Sequence, residues 1–129
     1  MINTNFKILI VDDKQEILSL LKRYITSVLP ELSIETASNG RVALEKLVQM
    51  SKNEKLPDLV LSDVMMPNMD GLELYKSSKK EYPNLMFILM SGYNSNEEEI
   101  KRLKIPYLEK PFKLEEVKNK IVEVLNYEN

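Results

Sequence analysis

The chain carries the stretch Ile-Leu-Ile-Val-Asp-Asp at residues 8–13. Four consecutive aliphatic residues bounded by polar ones are typical of a short strand that is buried on both faces of a sheet. Two aspartates directly after such a strand would place their carboxylates at the edge of that sheet. The stretch therefore predicts a parallel sheet with acidic groups where its first strand ends.

The rest of the chain repeats this pattern of a short apolar run followed by a helical stretch. Because parallel strands require crossover connections, the alternation predicts an α/β fold, a doubly wound sheet with helices on both faces. Residues 49–55, after the second helix, are polar and are predicted to form a solvated loop. The predicted strands are residues 8–11, 33–37, 59–61, 86–90 and 107–109, and the predicted helices are residues 17–28, 42–48, 72–82, 96–104 and 114–125.

Composition excludes several kinds of chemistry. The length of 129 residues fits one domain, and 20 acidic against 18 basic residues leave a formal charge of −2, which argues against a nucleic-acid binder. The absence of Cys and His excludes thiol nucleophiles, Ser-His catalysis and imidazole metal ligands. No secretory signal or membrane span is visible, so a cytoplasmic location is expected.

The predicted strands end in groups that could act together. Asp12 and Asp13 follow strand one, Asp63 ends strand three, Ser91 ends strand four and Lys110 follows strand five. In a parallel sheet the ligand lies at the carboxyl ends of the strands. Three carboxylates there would repel one another unless a cation lay among them, which favours Mg²⁺, with Mn²⁺ as an alternative. The same groups could accept a phosphoryl group on Asp63, its charge shared by the metal, the ammonium and the hydroxyl.

Each of these residues also has an ordinary interpretation. Asp12 and Asp13 could cap a helix N-terminus, Lys110 could be a solvated lysine, and Ser91 could belong to a plain turn. Ser62, one residue before Asp63, is expected to pack or to form a hydrogen bond rather than to perform chemistry. The joint interpretation is favoured because the four groups fall at four separate strand ends.

At these positions the chain resembles receiver domains of two-component response regulators, the CheY-like superfamily. The resemblance covers nearly the whole length. It is carried by the acidic pair at residues 12–13, the segment Asp-Val-Met-Met-Pro-Asn-Met-Asp-Gly at residues 63–71, Ser91, and Lys-Pro-Phe at residues 110–112. It implies a flavodoxin-like (βα)5 fold with strand order 2-1-3-4-5, and a single receiver domain over residues 1–129, with a core at about residues 6–126.

The resemblance also assigns roles in the site. Asp63 would be the phosphorylated residue, and Asp12, Asp13, Asp63 and the backbone carbonyl of Met65 would hold the metal. Lys110 would contact the phosphoryl group and precede Pro111 in a cis peptide bond. The switch would be a movement of Ser91 toward the phosphoryl group while Tyr107 turns inward, and the side chains of Met65 and Tyr93 would tune the lifetime of the phosphoryl group.

The same resemblance implies partners. The donor would be a sensor histidine kinase or a histidine phosphotransfer protein, and the output would be binding of an unknown downstream protein, with no direct contact to nucleic acid or membrane. No effector domain is expected. The initiating Met1 favours a stand-alone receiver over a domain cut from a hybrid kinase, and the oligomeric state would be a monomer or a weak phosphorylation-dependent dimer.

The chain departs from the common receiver pattern between Ser91 and Lys110. This stretch is short, and residues 104–106, Lys-Ile-Pro, replace the usual small residues before strand five. Ser-Gly-Tyr at residues 91–93, followed by a short helix, resembles receivers of hybrid sensor kinases. In the family the fourth helix, strand five and the fifth helix form the output surface, so the departure puts partner binding there in doubt. Recognition of partner helices could involve Ile100, Leu103 and Tyr107, although such apolar residues usually belong to the core.

Three other functions compete with a receiver, which would be a signalling protein rather than an enzyme. A phosphatase of the haloacid-dehalogenase type also uses an aspartate and Mg²⁺. Such enzymes carry Asp-x-Asp at the end of the first strand, whereas this chain has adjacent aspartates there. A non-phosphorylated interaction module is disfavoured, because all the reactive groups are retained. A nucleotide-binding flavodoxin-like protein would need a glycine-rich loop, and the chain has only 3 Gly.

Overall fold

The computed structural model describes residues 6–53, 55–92 and 96–126. Five strands alternate with five helices along these residues. No helix among them is long and apolar enough to cross a membrane. In chain order the elements are β1 (Lys7–Val11), α1 (Gln15–Val28), β2 (Ser33–Ala37), α2 (Gly40–Asn53), β3 (Leu59–Asp63), α3 (Gly71–Glu81), β4 (Met86–Ser91), α4 (Glu97–Arg102), β5 (Tyr107–Glu109) and α5 (Leu114–Leu125).

The strands form one parallel sheet in the order β2-β1-β3-β4-β5. The α/β class, the five-stranded parallel sheet and its order are therefore confirmed. In the register of the central strands, Val11 lies opposite Ser62, and Asp63 lies opposite Met90. This register brings the carboxyl ends of β1, β3 and β4 to the same edge.

The sheet separates two apolar layers. Side chains alternate along β1, so Ile8 and Ile10 face one layer with α1 and α5, while Leu9 and Val11 face the other with α2, α3 and α4. All four side chains are fully buried. Burying an aliphatic side chain of this size contributes roughly 1.5–3 kcal/mol to stability. Strand β1 is therefore firmly packed between the two layers just before the residues that follow it at the sheet edge.

The expectation about the segment after the second helix is wrong. Helix α2 continues to Asn53, so much of the segment predicted as a solvated loop is helical. The reason is that Met50 extends the buried stripe of Ala43 and Leu47 at helical spacing. Ile100, one of the residues considered for partner binding, is fully buried and belongs to the core, as such apolar residues usually do.

Helix α4 is short and is tied to α3 by charge. Glu99 accepts a hydrogen bond from Lys76 of α3 at 2.5 Å, and Arg102 lies 3.3 Å from the same carboxylate. The bond from Lys76 holds the pKa of Glu99 below its usual range. Ile100 is the one buried residue of α4, and the ion cluster adds a solvent-exposed attachment of this helix to α3.

Candidate functional site

The site lies where β1 and β3 end side by side. Val11 pairs with Ser62, so the residues that follow them, Asp12 and Asp63, leave the sheet next to each other. Both side chains are buried, Asp12 fully and Asp63 with 2% exposed. Parallel pairing of two neighbouring strands therefore brings together two carboxylates that are 51 residues apart in the sequence.

A third carboxylate completes a cluster. One oxygen from each of Asp12, Asp13 and Asp63 lies within 4.8 Å of the others. Asp13 is the exposed member, and its carboxylate lies 3.8 Å from the Lys14 ammonium. The cluster is thus open to solvent on the side of Asp13 and closed by the sheet on the other.

The acidic pair does not cap a helix. Helix α1 has Lys14 at its N-cap position, without a side-chain cap. Asp12 instead accepts a hydrogen bond from the backbone nitrogen of Lys14 on Oδ1 at 2.9 Å, and its own backbone nitrogen donates to the Ala37 carbonyl at 3.2 Å. The bond from Lys14 therefore fixes the direction of the Asp12 side chain, and the bond to Ala37 fixes the Asp12 backbone.

One oxygen of each buried carboxylate lacks a hydrogen-bond donor among the described residues: Oδ2 of Asp12 and Oδ2 of Asp63. Burial raises the pKa of Asp12, and the neighbouring Asp63 charge adds to this rise. Burial is the larger cause of this rise, and repulsion from Asp63 is a smaller one. Buried charged oxygens without partners are costly, which makes this cluster a good receptor for a cation.

Lys110 approaches the cluster from β5. Its ammonium lies 3.0 Å from Oδ1 of Asp63, and its backbone nitrogen donates to the Ser91 carbonyl at 2.8 Å. The peptide bond from Lys110 to Pro111 is cis. Lys110 thus has one anchor on β4 and one charge-assisted bond to the acidic cluster, and its side chain remains about one-third exposed, at 35%.

The remaining predicted site residues lie around this centre. Ser91 is fully buried at the end of β4, and its hydroxyl has no partner within the described ranges. Tyr107 is half-buried on β5 and packs against the layer that contains α4. Met65 lies on the loop after β3 with 57% of its surface exposed. Tyr93 lies outside the described residues.

The donor set suits a small divalent cation. Carboxylate oxygens are the ligands that Mg²⁺ prefers, and Mg²⁺ binds to a few carboxylates while keeping several waters. The oxygens of Asp12 and Asp63 that lack donors would gain a partner, and the exposed position of Asp13 leaves room for waters. A cation held by the carboxylates, the Lys110 ammonium and the Ser91 hydroxyl could share the charge of a phosphoryl group.

Two features of the site were missed in the sequence. Gly71 begins α3 against the backbone of Asp63, where a Cβ atom would lie 2.3 Å from the Asp63 carbonyl oxygen. Asp70 caps the same helix through a capping box with Glu73. The spacing Asp-x-x-Glu before an apolar run could have revealed the cap, whereas no sequence signal gives the distance at Gly71.

Ser62 was expected to pack or to form a hydrogen bond near its strand end, and its hydroxyl donates to the Asp63 carbonyl at 2.9 Å.

Comparison with known proteins is consistent with this geometry. The family model described as the response regulator receiver domain matches residues 8–122. The DNA-binding transcriptional regulator NtrC of Klebsiella pneumoniae is 36% identical over 110 residues, which are 83% of this chain and 22% of that protein. The alkaline phosphatase synthesis transcriptional regulatory protein PhoP of Bacillus subtilis is 35% identical over 126 residues, 94% of this chain and 49% of that protein.

Solved structures give the same result. A CheY-like response regulator receiver domain protein from Methanospirillum hungatei superposes with a TM-score of 0.79 at 30% identity, covering 95% of this chain and 94% of that one. The chain thus spans less than half of the two curated regulators but nearly all of this receiver structure.

Proposed function

The chain belongs to the response regulator receiver domain family, and from that membership we propose that Asp63 is the residue on which it accepts a phosphoryl group. Family membership makes the chain a phosphoryl-accepting receiver domain of two-component signalling. The single observation that supports Asp63 as acceptor is its bond to Lys110, 3.0 Å long, inside the carboxylate cluster.

The chemistry follows from the groups around Asp63. A carboxylate oxygen of Asp63 attacks the phosphorus of a phosphohistidine or of acetyl phosphate; a new O–P bond forms, and the bond from phosphorus to the imidazole nitrogen or the acetate oxygen breaks. Lys110 holds the carboxylate before the attack and neutralises a phosphoryl oxygen after it. No general base is required, because positioning and charge neutralisation supply most of the catalysis.

Asp12, Asp13 and Asp63, with the Met65 backbone carbonyl, would hold Mg²⁺, or Mn²⁺ in its place. The metal ion would neutralise charge on the phosphoryl oxygens. The choice of Mg²⁺ is supported by the all-oxygen donor set and by the two buried carboxylate oxygens that lack donors within the described residues. The protein would catalyse its own phosphorylation and dephosphorylation rather than turn over separate substrates.

The switch would act through Ser91 and Tyr107. The Ser91 hydroxyl has no partner in the described part of the chain, so a phosphoryl oxygen could become its acceptor. Tyr107 is half-buried beside α4, where an inward rotamer would change the outer face of α4, β5 and α5. Phosphorylation then needs to bias two arrangements by only a few kcal/mol. Met65 and Tyr93 would tune access of water to the phosphoryl group.

Receiver-domain membership implies a histidine kinase as donor and a downstream effector as target. We infer that the specific donor is a sensor histidine kinase or a histidine phosphotransfer protein. The chain would act in the cytoplasm as one receiver domain, as a monomer or a weak phosphorylation-dependent dimer. Residues of the receiver itself would not contact DNA, although the curated relatives include DNA-binding regulators.

The test is intact mass after incubation with acetyl phosphate, with and without Mg²⁺, on the wild type and on Asp63→Asn. A gain of one phosphoryl group that requires Mg²⁺ and is lost in the variant supports the proposal. If acetyl phosphate gives no gain, a phosphorylated histidine phosphotransfer protein is the second donor, and failure with both donors refutes the proposal. Steady turnover of p-nitrophenyl phosphate would instead indicate a phosphatase.

A further inference from the structure

Ser62 is a buried polar residue in the strand that carries Asp63. Its side chain is fully buried, and every other residue of β3 before Asp63 is aliphatic. A hydroxyl in such a place costs free energy unless it forms a hydrogen bond. The Ser62 hydroxyl donates to the Asp63 backbone carbonyl at 2.9 Å. It therefore acts on the peptide group that directly follows Asp63.

That peptide group begins the loop that leaves the sheet. At the base of the loop the Val64 nitrogen donates to the Met90 carbonyl at 3.1 Å, and the Gly71 nitrogen donates to the Val64 carbonyl at 2.8 Å. The Asp63 carbonyl lies in this base, against Gly71, where a Cβ atom would come within 2.3 Å of it. The carbonyl is thus held by a hydroxyl on one side and by the start of α3 on the other.

We propose that Ser62 is a positioning residue for phosphoryl transfer, whose hydroxyl fixes the Asp63–Val64 peptide plane and so aims both the Asp63 carboxylate and the loop that carries Met65. The inference rests on the proposed role of Asp63. If the hydroxyl is removed, the Asp63 carbonyl loses its donor, and the peptide keeps the bond from the Val64 nitrogen to Met90, about which it can rotate. Rotation changes the backbone torsion at Asp63 and displaces the carboxylate that lies 3.0 Å from the Lys110 ammonium.

The experiment compares two substitutions of nearly equal volume. Ser62→Thr keeps the hydroxyl and Ser62→Val replaces it by a methyl group, so any cost of the added volume is common to both. The readout is the first-order rate of phosphorylation at saturating acetyl phosphate and Mg²⁺, measured by intact mass on protein shown to be folded by circular dichroism. The rate should be about tenfold higher for Ser62→Thr than for Ser62→Val, because one hydrogen bond aims the reacting group.

Ser78 provides the matched control. It is also fully buried, it lies on α3, and its hydroxyl has no partner in the described part of the chain. Ser78→Ala should therefore phosphorylate at the wild-type rate, whereas Ser62→Ala should be about tenfold slower. A purely structural role of Ser62 would lower the denaturation midpoint without this difference in rate.

The outcomes separate the two proposals. If the wild type is not phosphorylated by either donor, the role of Asp63 fails and the inference fails with it. If the wild type is phosphorylated and Ser62→Val matches Ser62→Thr in rate, Asp63 remains the acceptor and the positioning role of Ser62 is overturned. If the rate is higher in Ser62→Thr, which keeps the hydroxyl, than in Ser62→Val and Ser62→Ala, which lack it, the positioning role of Ser62 is established.

Discussion

Gly71→Ala should damage phosphoryl transfer more than it damages the fold. Gly71 is the first residue of α3, and its φ is not positive, so alanine can adopt its backbone conformation. The conflict is one of space, because the new Cβ atom would lie 2.3 Å from the Asp63 carbonyl oxygen and 3.0 Å from the Val64 Cα atom. Both neighbours are backbone atoms and cannot rotate away as a side chain could.

The magnitude follows from these distances. Comfortable contact between nonbonded heavy atoms begins at about 3.5 Å, so α3 and the end of β3 must separate by roughly 1 Å. Overpacking of this kind costs about 1–3 kcal/mol, and the better helix propensity of alanine offsets up to about 1 kcal/mol. We expect a net loss of about 1–2 kcal/mol in the free energy of unfolding. A displacement of about 1 Å at the reacting carboxylate can lower the rate by about 100-fold.

The assay combines urea denaturation with the rate of phosphorylation by acetyl phosphate. Gly92→Ala is the matched control, because among the described residues a Cβ atom there would meet only the Lys110 Cδ atom, at an ordinary contact distance of 3.8 Å. That variant should keep both the stability and the rate. If Gly71→Ala behaved like Gly92→Ala in both measurements, the close approach of α3 to Asp63 would have no part in positioning the acceptor.

Three further predictions concern charged groups. Lys110→Ala should lower the phosphorylation rate by about 100-fold, because it removes the cation that neutralises charge on the phosphoryl oxygens. Isothermal titration calorimetry should still detect Mg²⁺ binding to this variant. Burial raises the pKa of Asp12 above its ordinary value of 3.8, so the folded metal-free protein holds that proton more tightly than the unfolded chain does. The contribution of Asp12 to stability in chelator should therefore fall as the pH rises from about 3.8 through the raised pKa. Asp12→Asn should remove this contribution, and a pH dependence of stability that is the same in the variant and the wild type would contradict the assignment. Glu99→Gln should lower stability slightly at low ionic strength, less so in high salt, because it breaks the pair with Lys76, whereas the exposed Glu98→Gln should show no such salt dependence.

The fold could be predicted from the sequence because its strands are short aliphatic runs. Residues 8–11 and 59–61 are buried on both faces, so nothing in their pattern resembles a surface helix. The end of α2 could not be predicted in the same way. Met50 stands among polar residues, and its burial depends on how far α2 extends along the sheet rather than on its neighbours in the sequence.

The members of the site could be predicted, but their contacts could not. Asp12, Asp63 and Lys110 each follow or end a strand, and parallel strands place such positions at one edge. The bond between Lys110 and Asp63, however, joins residues 47 apart, and its length is set by packing of the whole sheet. The same is true of Ser62 and Gly71, whose contacts with the Asp63 carbonyl depend on the path of the backbone.

The central claim is that Asp63 itself carries the phosphoryl group, and its most direct test is to locate the modification. Protein incubated with acetyl phosphate and Mg²⁺ is treated with borohydride, which reduces an aspartyl phosphate to homoserine, and the peptides are then sequenced by mass spectrometry. Homoserine at position 63, absent without Mg²⁺, is the predicted result. Homoserine at position 12 or 13 with Asp63 intact would contradict the claim, because the acceptor would then belong to the acidic pair.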